Sequence, residues 1–143
     1  MVGSSLMGFY NHNIDVKGRM NFPTKLRELL GDSFIITKGL DECLFVYSRE
    51  EWAILEEKIK AIPLSKGRVL QRFFFSGACE VETDRQGRIL IPQHLREYAG
   101  LQRDVVVIGA SNRAEIWDKA KWDSINENIT PDMLEEAMDD LGF

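Results

Sequence analysis

The chain has 143 residues, enough for one domain that buries about two thirds of its unfolded surface, and its 44% apolar and 29% charged content excludes a disordered or fibrous class. A formal net charge of −5 argues against a uniformly basic nucleic-acid binder, whose affinity rests on cations that displace condensed counterions. No apolar run reaches the roughly 18 residues of a membrane span and Val2 to Met7 is too short for a signal-peptide core, so the expected location is the cytoplasm.

Met1 to Ser5 carries no periodicity and is set aside. Phe9 to Ile14 reads as a first strand and Met20 to Phe22 as a second, joined by the polar break Asp-Val-Lys-Gly-Arg. Glycine four residues into such a break is a hairpin signal, because glycine takes the positive φ that these turns demand. Asp15 can fold its carboxylate onto the loop N–H groups in an Asx turn, which leaves Arg19 at the exit of the hairpin tip. Phe22-Pro23 keeps the chain extended and then opens a short helix over Thr24 to Leu30, stopped by Gly31. Strands follow at Phe34 to Thr37 and Leu44 to Tyr47, with Gly39 between them. Ser48 with Glu51 forms a capping box for a helix whose apolar stripe is Trp52, Leu55, Ile59 and Ile62. Pro63 ends that helix, and Val69, Leu70, Phe73 and Phe74 predict a linking helix with one apolar edge.

From there the pattern is written again. Asp15, Gly18, Arg19, Pro23, Leu26, Arg27 and Glu28 recur as Asp84, Gly87, Arg88, Pro92, Leu95, Arg96 and Glu97 at an offset of 69. One further residue makes the offset 70 and aligns Gly39 with Gly109 and Trp52 with Trp122. The second copy therefore predicts strands at Ala78 to Thr83, Ile89 to Ile91, Val105 to Ile108 and Glu115 to Trp117. Its short helix covers Gln93 to Ala99, and Asp118 is the expected N-cap of a helix striped by Trp122, Ile125 and Ile129. Thr130-Pro131 opens a last acidic helix. Each half is β-β-α-β-β-α, in an α+β fold. Two copies are too few for a solenoid and are better closed by pseudo-twofold packing around one core. The expected divisions are 8–53 for the first repeat, 54–76 for a helical connection, 77–123 for the second repeat and 124–143 for an acidic tail.

Charge is unevenly distributed. Residues 1–40 carry five Lys/Arg against three Asp/Glu and residues 64–103 carry seven against four, whereas 104–143 carry three against ten. The two basic segments hold the two copies of the motif. Arg19 and Arg88 have two competing readings: a guanidinium that bridges DNA phosphates or guanine O6 and N7, or a loop salt bridge to Asp15 or Asp84. Spacing leaves these level. Lys17, Arg85 and Gln86 occupy the variable loop positions, where exposure suits contact with a ligand as well as simple solvation. Lys25, His94, Arg27 and Arg96 sit on the short helices. For Arg27 and Arg96 an ion pair, intramolecular with the adjoining glutamates or across a subunit interface, competes with a phosphate contact. Cys43 and Cys79 lack close Cys or His partners and are expected to be reduced core residues. No metal, cofactor or small-molecule substrate is expected, and no nucleophile and base stand at a spacing that points to an enzyme.

The tandem motif Asp-x-x-Gly-Arg-φ-x-φ-Pro-x-x-Leu-Arg-Glu resembles that of the MraZ family of bacterial transcriptional regulators, in the wider AbrB-like group of swapped-hairpin DNA-binding proteins. The resemblance runs from Gly8 to Ile129. It implies a swapped-hairpin β-barrel made of two repeats and a ring-shaped homo-oligomer, expected to be octamer-sized. It also implies binding of double-stranded promoter DNA, usually as a repressor of the division and cell-wall genes, and association with the nucleoid. It places DNA contact on Arg19, and less firmly on Arg88.

Overall fold

The computed structural model describes residues 5–142, so the opening segment set aside above lies almost wholly outside it. The first half runs β1 (Phe9–Asn13), β2 (Arg19–Asn21), α1 (Thr24–Leu30), β3 (Ser33–Lys38), β4 (Leu44–Tyr47) and α2 (Arg49–Ala61). After α3 (Leu64–Ser76) come β5 (Cys79–Glu82), β6 (Arg88–Leu90), α4 (Gln93–Ala99), β7 (Asp104–Gly109), β8 (Ala114–Asp118) and α5 (Lys119–Glu127). The last helix is α6 (Pro131–Met138). Ser48 caps α2 by accepting from the N–H of Glu51 at 3.1 Å. Asp118 makes no such cap, because its carboxylate accepts from the N–H of Gln102 at 3.2 Å instead.

The strands are antiparallel, and the sheet interlocks the halves. Its order is β1-β7-β8-β4-β3-β5, so the first strand of each half pairs with the third strand of the other: Tyr10 faces Val107, and Val81 faces Phe34. β2 and β6 leave this sheet and pair with each other, Met20 opposite Ile89. At the centre of the large sheet β4 pairs with β8, with Phe45 opposite Glu115. Both of these registers are symmetric about the named pair under the repeat offset, so a pseudo-twofold axis runs through Met20/Ile89 and Phe45/Glu115.

The six strands form an open sheet rather than the closed barrel expected from the resemblance. The reason lies in β2 and β6. Each has three residues and is followed after one residue by proline, which has no N–H for a ladder. Their outward bonds go to the opposite loops, Phe22 N–H to Gly87 O at 3.1 Å and Ile91 N–H to Gly18 O at 2.8 Å.

One face of the sheet packs a core in which Met20 and Ile89 meet Leu26 and Leu95 from the short helices and Phe34 and Ile116 from the strands. On the other face Phe45, Tyr47 and Trp117 pack beneath residues of α2, α3 and α5. Phe74 is buried there, and Phe73 and Phe75 make edge contacts with Tyr98 and Trp52. The apolar edge predicted for α3 holds for Leu70, Phe73 and Phe74 and fails for Val69, which is exposed. Ile129 lies beyond the end of α5 and is also exposed, so that stripe stops at Ile125. Cys43 is buried, Cys79 half-buried, and both are free thiols.

Candidate nucleic-acid interface

The two hairpin loops are built by the same bonds. Asp15 Oδ1 accepts from the N–H groups of Lys17 and Arg19, each at 2.9 Å. Its Oδ2 accepts from Arg19 Nε at 2.9 Å. In the second loop Asp84 Oδ1 accepts from Gln86 N–H at 2.8 Å and Arg88 N–H at 2.9 Å, and Oδ2 from Arg88 Nε at 2.9 Å. These are the Asx turns expected from the spacing, and the arginine–aspartate pairs are present too. The backbone N–H of Arg19, and then its guanidinium and the N–H of Lys17, hold the Asp15 carboxyl below its usual range. Asp84 is lowered in the same way by Arg88 and Gln86.

Gly18 and Gly87 take φ of 90° and 78° at the turns. Space as well as φ requires glycine: a Cβ on Gly18 would stand 2.7 Å from both Ile91 O and Arg96 Nε, and one on Gly87 2.7 Å from Arg27 Nη1. Each short-helix arginine therefore covers the loop of the other half. Arg96 is fixed there by donating from Nε to Ile91 O at 2.9 Å, and Arg27 donates to Thr24 Oγ1 at 3.3 Å. Within the chain neither arginine is ion-paired with Glu28 or Glu97, and Glu97 accepts from Gln93 Nε2 at 2.9 Å. Gly18 and Gly87 thus position the backbone, while Arg27 and Arg96 lie across the join between halves.

Side chains alternate across the β2/β6 ribbon. Met20 and Ile89 point into the core, 2% and 1% exposed, so Arg19, Asn21, Arg88 and Leu90 share the outer face. Arg19 stands opposite Leu90 and Arg88 opposite Asn21, which makes the two arginines diagonal neighbours. A cleft of about 470 Å³ beside the ribbon is lined by both, together with Asp15, Asn21 and Arg103. Each guanidinium is held to its aspartate through Nε, and no protein acceptor takes its terminal NH2 groups among the described residues. Lys17, Arg85 and Gln86 are exposed around the loop tips and Lys25 on the first turn of α1. His94, the counterpart of Lys25, places Nε2 3.3 Å from Gly77 O.

Two residues of this surface, Asn21 and Arg103, are absent from the sequence-based candidates. Alternation from Arg19 points to Asn21 once β2 is taken as an exposed ribbon. Arg103 carries no local signal, because it reaches the cleft only through the pairing of β1 with β7. Among the described residues, no cluster of His, Cys, Asp and Glu could hold a metal ion, and no helix is long and apolar enough to cross a membrane.

Known proteins are similar to this chain in sequence over nearly its whole length. The family described as "MraZ protein, putative antitoxin-like" matches residues 5–70 and again residues 74–141, one match to each half. The protein named "Transcriptional regulator MraZ" in Acetivibrio thermocellus is 55% identical over 140 residues, covering 95% of this chain and 98% of that one. Its namesake in Caldicellulosiruptor bescii is 53% identical over 142 residues, 96% and 99% of the two chains. That of Heliobacterium modesticaldum is 57% identical over 133 residues, 92% and 93% of them. With two family matches that together span nearly its full length, the chain belongs to the MraZ family.

Proposed function

We propose that this chain is a DNA-binding transcriptional regulator that represses by occupying promoter DNA. The relatives are named as regulators and not as enzymes, which supports that class. The observation that carries the reading is the outer face of the β2/β6 ribbon. A two-stranded ribbon has the width to enter the major groove, and here it presents two arginines whose Nε atoms are tied to Asp15 and Asp84. Such a tie fixes the guanidinium plane while leaving the terminal N–H donors for guanine O6 and N7 or for phosphate oxygens. The salt bridge is then a positioning device for the contact. Lys17, Lys25, Arg85 and Gln86 border the ribbon and supply phosphate contacts that set its register.

One chain offers few cations on an acidic body, so a single copy binds weakly. A ring of several chains repeats the ribbon at fixed spacing and makes each further contact intramolecular. DNA boxes about one helical turn apart, near 10 base pairs, suit that arrangement. By the family resemblance, the targets are the chain's own promoter and the division and cell-wall genes beside it, met on the nucleoid in the cytoplasm. A gel-shift titration on DNA from upstream of the chain's own gene tests this: affinity should fall steeply with salt and exceed that for scrambled DNA. Equal affinity for both DNAs would refute sequence-specific regulation.

A second reading has an observation in its favour. The net charge of −5 suits an oligomeric protein-interaction module that touches DNA incidentally. Absence of any salt-dependent shift in the same titration would select it.

A further inference from the structure

Every residue from Asn126 to Gly142 is exposed, so α6 stands off the body. The helix and the 3-10 turn after it (Asp139–Leu141) share one apolar stripe: Leu134, Met138 and Leu141 recur four and three residues apart and are 49%, 41% and 72% exposed, with Met133 beside them. The rest is acidic, with Asp132, Glu135, Glu136, Asp139 and Asp140, and no Lys or Arg follows Lys121. An eight-residue helix is well below the about 12 to 15 residues at which helices become marginally stable alone in water. Its cap, Thr130 Oγ1 accepting from Met133 N–H at 3.2 Å, is local support only. Such a helix is completed by a surface that is apolar and basic.

The chain carries one. Residues 58–79 hold Lys58, Lys60, Lys66, Arg68 and Arg72 with no Asp or Glu, a charge equal and opposite to that of α6 and the turn after it. On α3 the inner side is Leu70, Phe73 and Phe74, which leaves Arg68, Val69 and Arg72 outward and exposed. Leu64 and Val69 are 70% and 60% exposed there. The spacings match: Arg68 and Arg72 are four apart on α3, and Glu135 and Asp139 are four apart along one edge of the α6 stripe.

The α6 of a chain is not delivered to its own α3. Three residues join α5 to α6, and their bonds are already made. Asn128 N–H donates to Ile125 O and Ile129 N–H to Asn126 O, each at 3.2 Å, and the carbonyl of Thr130 accepts from Leu134 N–H at 3.2 Å. The exit direction of α6 is set by these turns, and it leads away from the body.

We propose that α6 of one chain docks on the α2–α3 surface of a second copy, apolar stripe against Leu64 and Val69 and acidic edge against Arg68 and Arg72. The two surfaces are different, so the contact is head-to-tail, and a head-to-tail contact builds a ring when its rotation closes rather than a twofold dimer. The inference rests on the assembly proposed above and names the contact that makes it.

The test is a pair of charge-reversed chains studied by light scattering at micromolar concentration. Arg68→Glu with Arg72→Glu makes the docking surface acidic, and Glu135→Lys with Asp139→Lys makes the helix basic. Each variant alone should fall from the parent mass towards the 16.4 kDa of one chain. Mixed in equal amounts they should recover the parent mass, since each then meets the opposite charge on its neighbour. Unchanged circular dichroism guards against misfolding, and truncation after Ile129 should dissociate the parent by an independent route. A variant or a truncated chain that keeps the parent mass overturns the contact while leaving the assembly standing, as does a mixture that stays dissociated. A parent that is itself monomeric overturns both.

Discussion

The loop from Asp15 to Arg19 and the loop from Asp84 to Arg88 share a frame and differ in what they display. The three aspartate-centred bonds agree between them to 0.1 Å. Each glycine lies under an arginine of the other half. Outside that frame the chemistry diverges: Val16 and Lys17 stand where the second loop has Arg85 and Gln86, and Asn21 stands where it has Leu90. Backbone geometry is set by the recurring Asp, Gly and Arg, and the intervening positions are free to vary because their side chains face solvent. The ribbon consequently has unlike ends. Arg19 is next to an apolar Leu90, whereas Arg88 is next to Asn21, whose amide can pair with adenine N6 and N7.

The largest expected effect tests whether both ends touch DNA. Arg19→Ala should lower promoter affinity by about 1 to 3 kcal/mol per engaged subunit, multiplied where a ring engages several ribbons, with melting temperature and oligomer mass nearly unchanged. Arg88→Ala is the comparison. An equal loss in gel shifts assigns contact to both loops, and a much smaller one assigns it to the first. Arg19→Ala with parental affinity and a lowered melting temperature would return the arginine to a purely structural role.

Asn21→Leu makes the two ends alike. It should relax base preference at one position of the box by about 1 to 3 kcal/mol, leaving the salt dependence intact because no phosphate contact is removed. Selection of binding sites from a random pool measures this. An unchanged consensus would place Asn21 outside the groove.

What the sequence made legible, and what it did not, divides along similar lines. The β-β-α-β-β-α units, the Asx turns and the caps by Ser48 and Thr130 are local, and each can be read from a few adjacent residues. Closure of the sheet cannot, since it depends on which strand β2 and β6 choose, and Pro23 and Pro92 cut both short. The roles of Arg27 and Arg96 were hidden for a related reason: adjacency to Glu28 and Glu97 suggested a pair, but strand exchange brings the opposite loop closer. Phe45 and Glu115 occupy equivalent places in the repeat and meet on the pseudo-twofold axis. Glu115 is buried and accepts from Trp117 Nε1 and Arg113 Nε, each at 2.9 Å. No pattern within either strand announces that partnership.

A smaller effect separates the loops by their surroundings. Alanine at either glycine adopts an unfavourable positive φ, a strain of about 1 to 3 kcal/mol. At Gly18 the new Cβ also meets the backbone carbonyl of Ile91, which is fixed by the ribbon, whereas at Gly87 it meets the far end of the Arg27 side chain, which can swing aside. Urea unfolding should therefore rank Gly18→Ala as the more destabilised. The reverse order would mean that Arg27 is held over the second loop more firmly than its single bond to Thr24 suggests.

The smallest effect probes the shared frame itself. Asp15 and Asp84 have carboxyl groups lowered from the ordinary 3.8, chiefly by the N–H groups of Arg19 and Arg88. A depressed folded-state value means that the carboxylate's contribution is complete above the unfolded value of about 3.9 and is lost as pH falls through the folded value. Both loops should stay ordered down to about pH 4, and then release Arg19 and Arg88 as their aspartates protonate. Amide resonances of Lys17 and Gln86, each bonded to the carboxylate concerned, report this directly in an NMR titration. Both midpoints should lie below 3.8 and close together. A midpoint at the ordinary value in one loop alone would show that its Asx turn is not kept in solution. The frame would then be common to the two halves in sequence but not in strength, and the loop with the weaker turn would present its arginine less firmly to DNA.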